Sequence, residues 1–187
     1  MPKPGREDLT RDTTIPIIIA IGSNLPDSDG RSPRLLCHAA VEALRGLPGL
    51  RLVSVSRTYQ NPAWPPSDQP DYINAAALLD GTADPAWLLG QLHAIEARAG
   101  RTRSVANAAR PLDLDIIDMG GLVRAAPDPI LPHPRAHLRD FVLRPIADIL
   151  PDWRHPVSGA SVAALLAALS QDQCTAASRL AFPRHPT

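Results

Sequence analysis

Lysine is nearly missing from this chain. Of its 19 basic residues only Lys3 is a lysine, the rest are arginine, and 19 acidic residues bring the formal net charge to zero. That balance excludes a global electrostatic grip on nucleic acid. It makes the placement of arginines the informative feature, because a guanidinium binds carboxylate or phosphate through two bonds at once. Aromatic residues are scarce at 4%, with two Phe, two Tyr and three Trp. This scarcity argues against an RNA reader, whose central strands carry stacking rings and whose face is basic. The two cysteines, Cys37 and Cys174, lie far apart and form neither a disulfide framework nor a metal cluster. No apolar run approaches the roughly 20 residues that span a bilayer. The first 14 residues, with Arg6, Glu7, Asp8, Arg11 and Asp12, do not read as a secretory signal. The expectation is a soluble cytoplasmic protein, a monomer, without nucleic-acid or membrane partners.

What is present suits one domain. The chain has 187 residues, 44% of them hydrophobic, and 21 prolines that punctuate it into short elements. Residues 1–13 read as a flexible arm, 14–170 as the domain and 171–187 as a loose tail. Ile15 to Ile21 (IPIIIAI) is a buried strand ending at Gly22. Ser32-Pro33 starts a helix, with Ser as cap and Pro in the first turn, and Pro48-Gly49 stops it. Leu50 to Gln60 reads as one strand, residues 61–71 as a proline-rich loop and Tyr72 to Leu79 as the third strand. Asp84-Pro85 opens a second helix whose apolar stripe ends at Gly100. Leu112 to Met119 is the fourth strand. The order β-α-β-β-α-β predicts an α+β, ferredoxin-like fold: a four-stranded antiparallel sheet with both helices on one face. Phe141 to Ile149, interrupted by Pro145, and a short helix near Ser161 to Leu169 follow as a C-terminal helical extension.

Four local patterns carry chemistry. In RPLDLDII, Asp113 and Asp115 are two apart in a strand and project to one face, while Leu112, Leu114 and Ile116 turn to the core. Two adjacent carboxylates repel, and a pair of divalent cations relieves that repulsion. The pattern alone is more often a solvated strand face near a sheet edge. Arg98, Arg101, Arg103 and Arg110 crowd the approach to this strand, either as a solvated loop or as partners for polyphosphate oxygens. LPHPRAHLRDF presents His133, Arg139 and Phe141. DQPDYINAA sets Tyr72 and Asn74 two apart, and an Asn amide has the donors and acceptor to read the edge of a flat heterocycle.

Taken in this order the motifs resemble the 6-hydroxymethyl-7,8-dihydropterin pyrophosphokinases of folate biosynthesis. The resemblance runs from IAIGSNL at Ile19 through YQNP at Tyr59, DQPDYINAA at Asp68, IEARAGRTR at Ile95 and RPLDLDII at Arg110, to LPHPRAHLRDFVLRPI at Leu131 and Asp152. It implies a ferredoxin-like fold and transfer of pyrophosphate from ATP to the pterin hydroxymethyl group, with AMP released and two Mg²⁺ ions bound. By the same resemblance Asp113 and Asp115 hold metal, and Arg101 and Arg110 are catalytic. Leu89, His93, Glu96, Arg103, Ile116, His133 and Arg139 lie at ATP. Asn61, Pro62, Tyr72, Asn74 and Phe141 hold the pterin. The chain departs from the family between Arg103 and Arg110: it reads SVANAA, with Asn107 where relatives carry Trp, and is shorter. Two rivals differ in class. Nucleotidyltransferases also pair Gly-Ser with Asp-x-Asp, but within one short unit, whereas Gly22-Ser23 and Asp113 are separated here by two helices and two strands. A non-enzymatic ferredoxin-like binding module lacks support from charge or aromatics.

Overall fold

The computed structural model describes residues 14–101, 108–170 and 178–180, the last three as backbone only. Among these, six strands form one antiparallel sheet: β1 (Ile15–Ser23), β2 (Leu50–Val55), β3 (Thr58–Asn61), β4 (Tyr72–Gly81), β5 (Asp113–Met119) and β6 (Ser178–Leu180). The helices are α1 (Pro33–Arg45), α2 (Pro85–Arg98), α3 (Asp140–Ile149) and α4 (Val162–Ala168). The sheet runs β5-β1-β4-β3-β6, with β2 also on β4. β2 and β3 follow one another along β4, so the core is the expected four-stranded ferredoxin-like arrangement. Of the expected tail only β6 is described, paired with β3 at Thr58–Gln60.

The expected single strand from Leu50 to Gln60 is in fact two. The register against β4 slips by one residue between Leu52 and Ser54, and Ser56-Arg57 separates β2 from β3. At the break the side chain of Ser56 replaces a backbone group. Its amide donates to the Ala76 carbonyl at 2.9 Å, and its Oγ accepts from the Ala76 amide at 2.8 Å. Bulges of this kind bend an edge strand and raise its twist. Arg57 turns out to Asp148 at the far end of α3, and Tyr59 Oη donates to the same carboxylate at 2.9 Å. One acidic residue thus ties α3 to the broken edge.

The Ile-rich run of β1 is apolar on both faces because both faces are covered. Ile17, Ile19 and Ile21 pack with Leu36, Leu44, Leu88 and Leu92 of α1 and α2. Ile18 packs the other way with Ala76, Leu78, Ile117 and the α3–α4 layer, including Leu143, Ile146 and Val162. α3 contains Pro145, which lacks the amide that would bond the Phe141 carbonyl one turn back. The N-terminal signals act as read: the Ser32 side chain accepts from the Leu35 amide, and Asp84 Oδ1 accepts from the Trp87 amide at 2.9 Å. Gly100 ends α2 in a left-handed conformation (φ 81°). Its amide bonds the Ala97 carbonyl at 3.0 Å, and the Arg101 amide bonds the Glu96 carbonyl at 3.1 Å. These are the two reverse bonds of a Schellman motif, and they set where Arg101 leaves the helix.

Asp118 locks the second helical layer to β5. It is 5% exposed; Oδ2 accepts from Trp153 Nε1 at 2.9 Å and Oδ1 from the Gly121 amide at 2.9 Å. Asp118→Asn cannot accept both bonds, so one buried donor is left unpaired. The expected loss is about 1–3 kcal/mol of unfolding free energy in a denaturant titration. A variant as stable as the parent would show that this lock does not hold the layers together.

Candidate active site

The α3–α4 layer does not reach the end of the sheet where β1, β4 and β5 present Gly22, Tyr72, Asn74 and Asp113. Strand register brings these together: Gly22 is opposite both Asn74 on β4 and Asp113 on β5, and Asn61 on β3 is opposite Tyr72. Directly opposed residues share a face, so the site is a patch of sheet framed by the N-terminal end of α3 and the loop between β3 and β4. A cavity of about 260 Å³ opens there, lined in part by Asn61, Tyr72, Asn74, Phe141, Arg110 and Asp113. Gly22 forms part of its wall. A β-carbon there would sit 3.2 Å from Asn74 Oδ1, so the missing side chain is what leaves room beside the amide. Asn74 is fixed in turn: its Nδ2 donates to Asn61 Oδ1 at 2.6 Å. Asn61 Nδ2 donates to the Pro62 carbonyl at 2.9 Å.

Asp113 stands between the cavity and a cluster of cations. Its Oδ1 accepts from Arg101 at 2.6 Å and from Arg110 at 2.9 Å. Arg101 is held from behind by Glu96, whose Oε1 also accepts from the Leu114 amide at 2.7 Å. Burial opposes the charge on Arg110, yet Asp113 and the neighbouring Tyr72 and Asp115 hold its pKa above the usual value. Asp115 is two residues on, opposite Ala20 and on the same face. Desolvation, and then the charge of Asp113, push its carboxyl up to about 6, although its side chain keeps 42% of its surface. Crowding by the cleft walls and by a like charge outweighs that exposure.

His133 lies 3.9 Å from Asp115 through Nε2. Its Nδ1 accepts from the Arg135 amide at 3.3 Å, which leaves the proton of the neutral ring on Nε2, facing the cleft. Burial, then Arg139 and Arg135, lower its pKa to about 4, so at neutral pH it is a neutral donor. The Arg139 guanidinium sits 5.8 Å from the Trp64 ring and 5.6 Å from that of Phe141. Its Nε is buried with no hydrogen-bond partner, and the residue forms part of the cavity wall.

Of the residues expected at a nucleotide, His133, Arg139, Arg101 and Arg110 converge here. Glu96 is 3% exposed and acts through Arg101 rather than at the cleft surface. Ile116 packs in the core under α1 and α2, and Leu89, half-buried on α2, packs against the same cluster. His93 is half-buried on α2, and Arg103 lies outside the described residues, as does Asn107 of the shortened loop. Pro62 is exposed and does not line the cavity; its carbonyl accepts from Asn61 Nδ2. Sequence reasoning missed Gly22 and Trp64. A glycine ending a β-branched strand was the available signal for the first. Trp64, one large aromatic inside a proline-rich loop, was the signal for the second.

Two carboxylates side by side, one with a raised pKa, are what this chain offers a divalent cation. Among the described residues no group of three or more His, Cys, Asp or Glu side chains is positioned to hold a metal ion. That donor set fits Mg²⁺, which takes one or two carboxylates and completes its shell with water and substrate phosphate.

The fold and site define a ferredoxin-like domain with a ring-sized cavity opening onto a carboxylate–arginine cluster. Residues 18–151 match the family model of the 7,8-dihydro-6-hydroxymethylpterin-pyrophosphokinases (HPPK). The chain is 41% identical over 152 residues to the 2-amino-4-hydroxy-6-hydroxymethyldihydropteridine pyrophosphokinase of Pseudomonas aeruginosa, covering 81% of this chain and 90% of that one. It is 37% identical over 140 residues to the enzyme of the same name from Haemophilus influenzae, covering 75% and 84%. This chain belongs to the HPPK family. Its fold also matches wild-type Plasmodium falciparum HPPK-DHPS, with a TM-score of 0.63 at 12% identity. That match covers 82% of this chain and 44% of the larger one, so it bears on fold alone.

Glu96 generates a stability prediction. Burial raises its carboxyl from 4.5 to about 7, against the pull of the Leu114 amide and Arg101. The folded state therefore holds this proton more tightly than the unfolded chain. Its contribution to stability is full below pH 4.5 and is lost as pH rises through 7. Glu96→Gln removes that slope. The thermal midpoint of the variant relative to the parent should rise between pH 5 and pH 8. A difference that stays constant over this span would contradict the assignment.

Proposed function

We propose that this chain transfers the pyrophosphoryl group of ATP to the hydroxymethyl oxygen of 6-hydroxymethyl-7,8-dihydropterin, releasing AMP, as a step in folate biosynthesis. The observation that carries the reading is the shared wall: Tyr72, Asn74 and Phe141 line the same cavity as Arg110 and Asp113. A ring held there presents a substituent to the charged cluster. Tyr72 and Phe141 supply apolar faces for the ring. Asn74, fixed by Asn61, hydrogen-bonds its edge, with the backbone near Asn61 and Pro62 completing the contact.

The acceptor hydroxyl loses its proton to solvent as its oxygen bonds to the β-phosphorus, and the bond from that phosphorus to the oxygen bridging the α-phosphorus breaks. AMP carries that oxygen away. Little covalent work falls to the protein, which positions the groups and spreads the charge. Arg101 and Arg110 neutralise the β and γ oxygens from one side. Arg139 adds a guanidinium in the cavity wall, and His133 donates from Nε2 as a neutral ring. Glu96 holds Arg101 from behind, extended toward the cleft where the polyphosphate meets it. Asp113 and Asp115 are the ligands for Mg²⁺, which when bound screens the polyphosphate and acidifies the attacking hydroxyl. The same reading has the chain working as a cytoplasmic monomer on two small molecules. No helix among the described residues is long and apolar enough to cross a membrane.

Incubation with ATP, Mg²⁺ and 6-hydroxymethyl-7,8-dihydropterin tests the proposal. AMP and an acceptor bearing two phosphates are the expected products. ADP, or AMP attached to the acceptor, would overturn it.

Asp113→Ala and Asp115→Ala should each lower kcat by well over tenfold, which is about 1.4 kcal/mol of barrier. The double variant should lose little more than the worse single one, because the two share the same ions. A loss below tenfold in either, or fully multiplicative losses, would contradict a shared metal site.

A further inference from the structure

Asn24 follows β1, two residues after the glycine in the cavity wall. It is 2% exposed and does not line the cavity. Its side chain nevertheless reaches both halves of the site. On one side Oδ1 accepts from the Arg110 amide at 2.8 Å. The amides of Asn24 and Leu25 both donate to the Arg110 carbonyl, at 3.2 and 3.3 Å. The peptide groups on either side of the Arg110 α-carbon are therefore held by one dipeptide. On the other side Nδ2 donates to Gln69 Oε1 and to the Pro70 carbonyl, both at 3.2 Å. These residues belong to the loop that frames the cavity, and Gln69 Oε1 also accepts from Tyr72 Oη at 3.4 Å.

We infer that Asn24 is a positioning residue that couples ligand occupancy at Arg110 to the shape of the loop over the acceptor cavity. The inference rests on the proposed function, in which Arg110 meets the polyphosphate and the cavity takes the pterin. The carboxamide is planar and rigid, and here its acceptor serves one half of the site while its two donors serve the other. Drawing Arg110 toward a polyphosphate pulls on Oδ1, and the same rotation is felt at Gln69 and Pro70. Ordering one half for its ligand thereby supplies part of the ordering that the second ligand would otherwise require, and the two bind cooperatively. Asp at this position keeps an acceptor for the Arg110 amide but has no donor for the Pro70 carbonyl. Removing the Gln69 side chain cuts one of the two bonds from Asn24 to the loop and leaves the Pro70 bond and the bonds to Arg110 intact.

The test is the dissociation constant of 6-hydroxymethylpterin, measured by titration calorimetry with and without Mg²⁺ and a non-hydrolysable ATP analogue. The parent chain should bind the pterin at least about fivefold tighter with the analogue present. In Asn24→Asp that ratio should fall below about twofold, and Gln69→Ala should lose at least half of it. A merely structural Asn24 would lower the melting temperature and weaken both ligands together, leaving the ratio unchanged. Parental ratios in both variants, or no cooperativity in the parent, would overturn the inference. If Asn24→Asp does not fold, Gln69→Ala decides: a reduced ratio supports the coupling and a parental ratio overturns it. A parent chain that binds neither ligand would overturn the proposed function and this inference with it. One that binds both without cooperativity overturns only the inference.

Discussion

The site is organised around one carboxylate oxygen. Asp113 Oδ1 accepts from both Arg101 and Arg110, two cations that arrive from different directions. Arg101 comes off the reversed end of α2, and Arg110 from the segment before β5. Neither guanidinium would hold its place against water and like charge without a shared anion. The arrangement needs Glu96 behind Arg101, and Glu96 needs the buried Leu114 amide. A short chain of charge-assisted hydrogen bonds thus runs from the core under α2 to the mouth of the cleft. Asp115 carries the cost of this crowding: burial first, and then the charge of Asp113, push its carboxyl above the usual range. A site that binds a tetra-anionic nucleotide with divalent cations is well served by such a balance. The free protein holds its positive charges with its own carboxylates, and the ligand exchanges partners instead of assembling them.

The fold supplies the geometry cheaply. β1 and β4 are buried on both faces for most of their length and uncovered at one end. There the apolar alternation gives way to Gly22, Tyr72 and Asn74. Placing the site where the α3–α4 layer stops puts Gly22, Tyr72, Asn74, Asp113 and Asp115 on strands, whose register is fixed by the core beneath them. The loop between β3 and β4 and the N-terminal end of α3 provide the adjustable walls.

Much of this was legible in the sequence. The Ile run of β1, the capped helix starts at Ser32 and Asp84, and the paired aspartates of β5 follow from periodicity and turn chemistry, and each falls where read. What was not legible depends on partners distant in the chain. The break at Ser56 exists because a hydroxyl substitutes for a peptide group opposite Ala76. The helical extension from Phe141 to Ile149 was read, but not that it would cover the second face of the sheet. Glu96 looked like one more polar residue near a nucleotide, and only its burial against Leu114 and Arg101 shows that it acts from behind. Asn24 had no reading at all, since its two sets of partners lie more than forty residues away in each case.

The central claim is that the pterin cavity and the Asp113–arginine cluster hold the two reactants in line. A crystal structure with Mg²⁺, a non-hydrolysable ATP analogue and 6-hydroxymethylpterin tests it most directly. The account predicts the pterin ring between Tyr72 and Phe141 and the β-phosphorus about 3–3.5 Å from the hydroxymethyl oxygen. Arg101 and Arg110 should contact the polyphosphate, and Asp113 and Asp115 the metal ions. An acceptor oxygen facing the α- or γ-phosphorus, or a pterin bound outside this cavity, would contradict it.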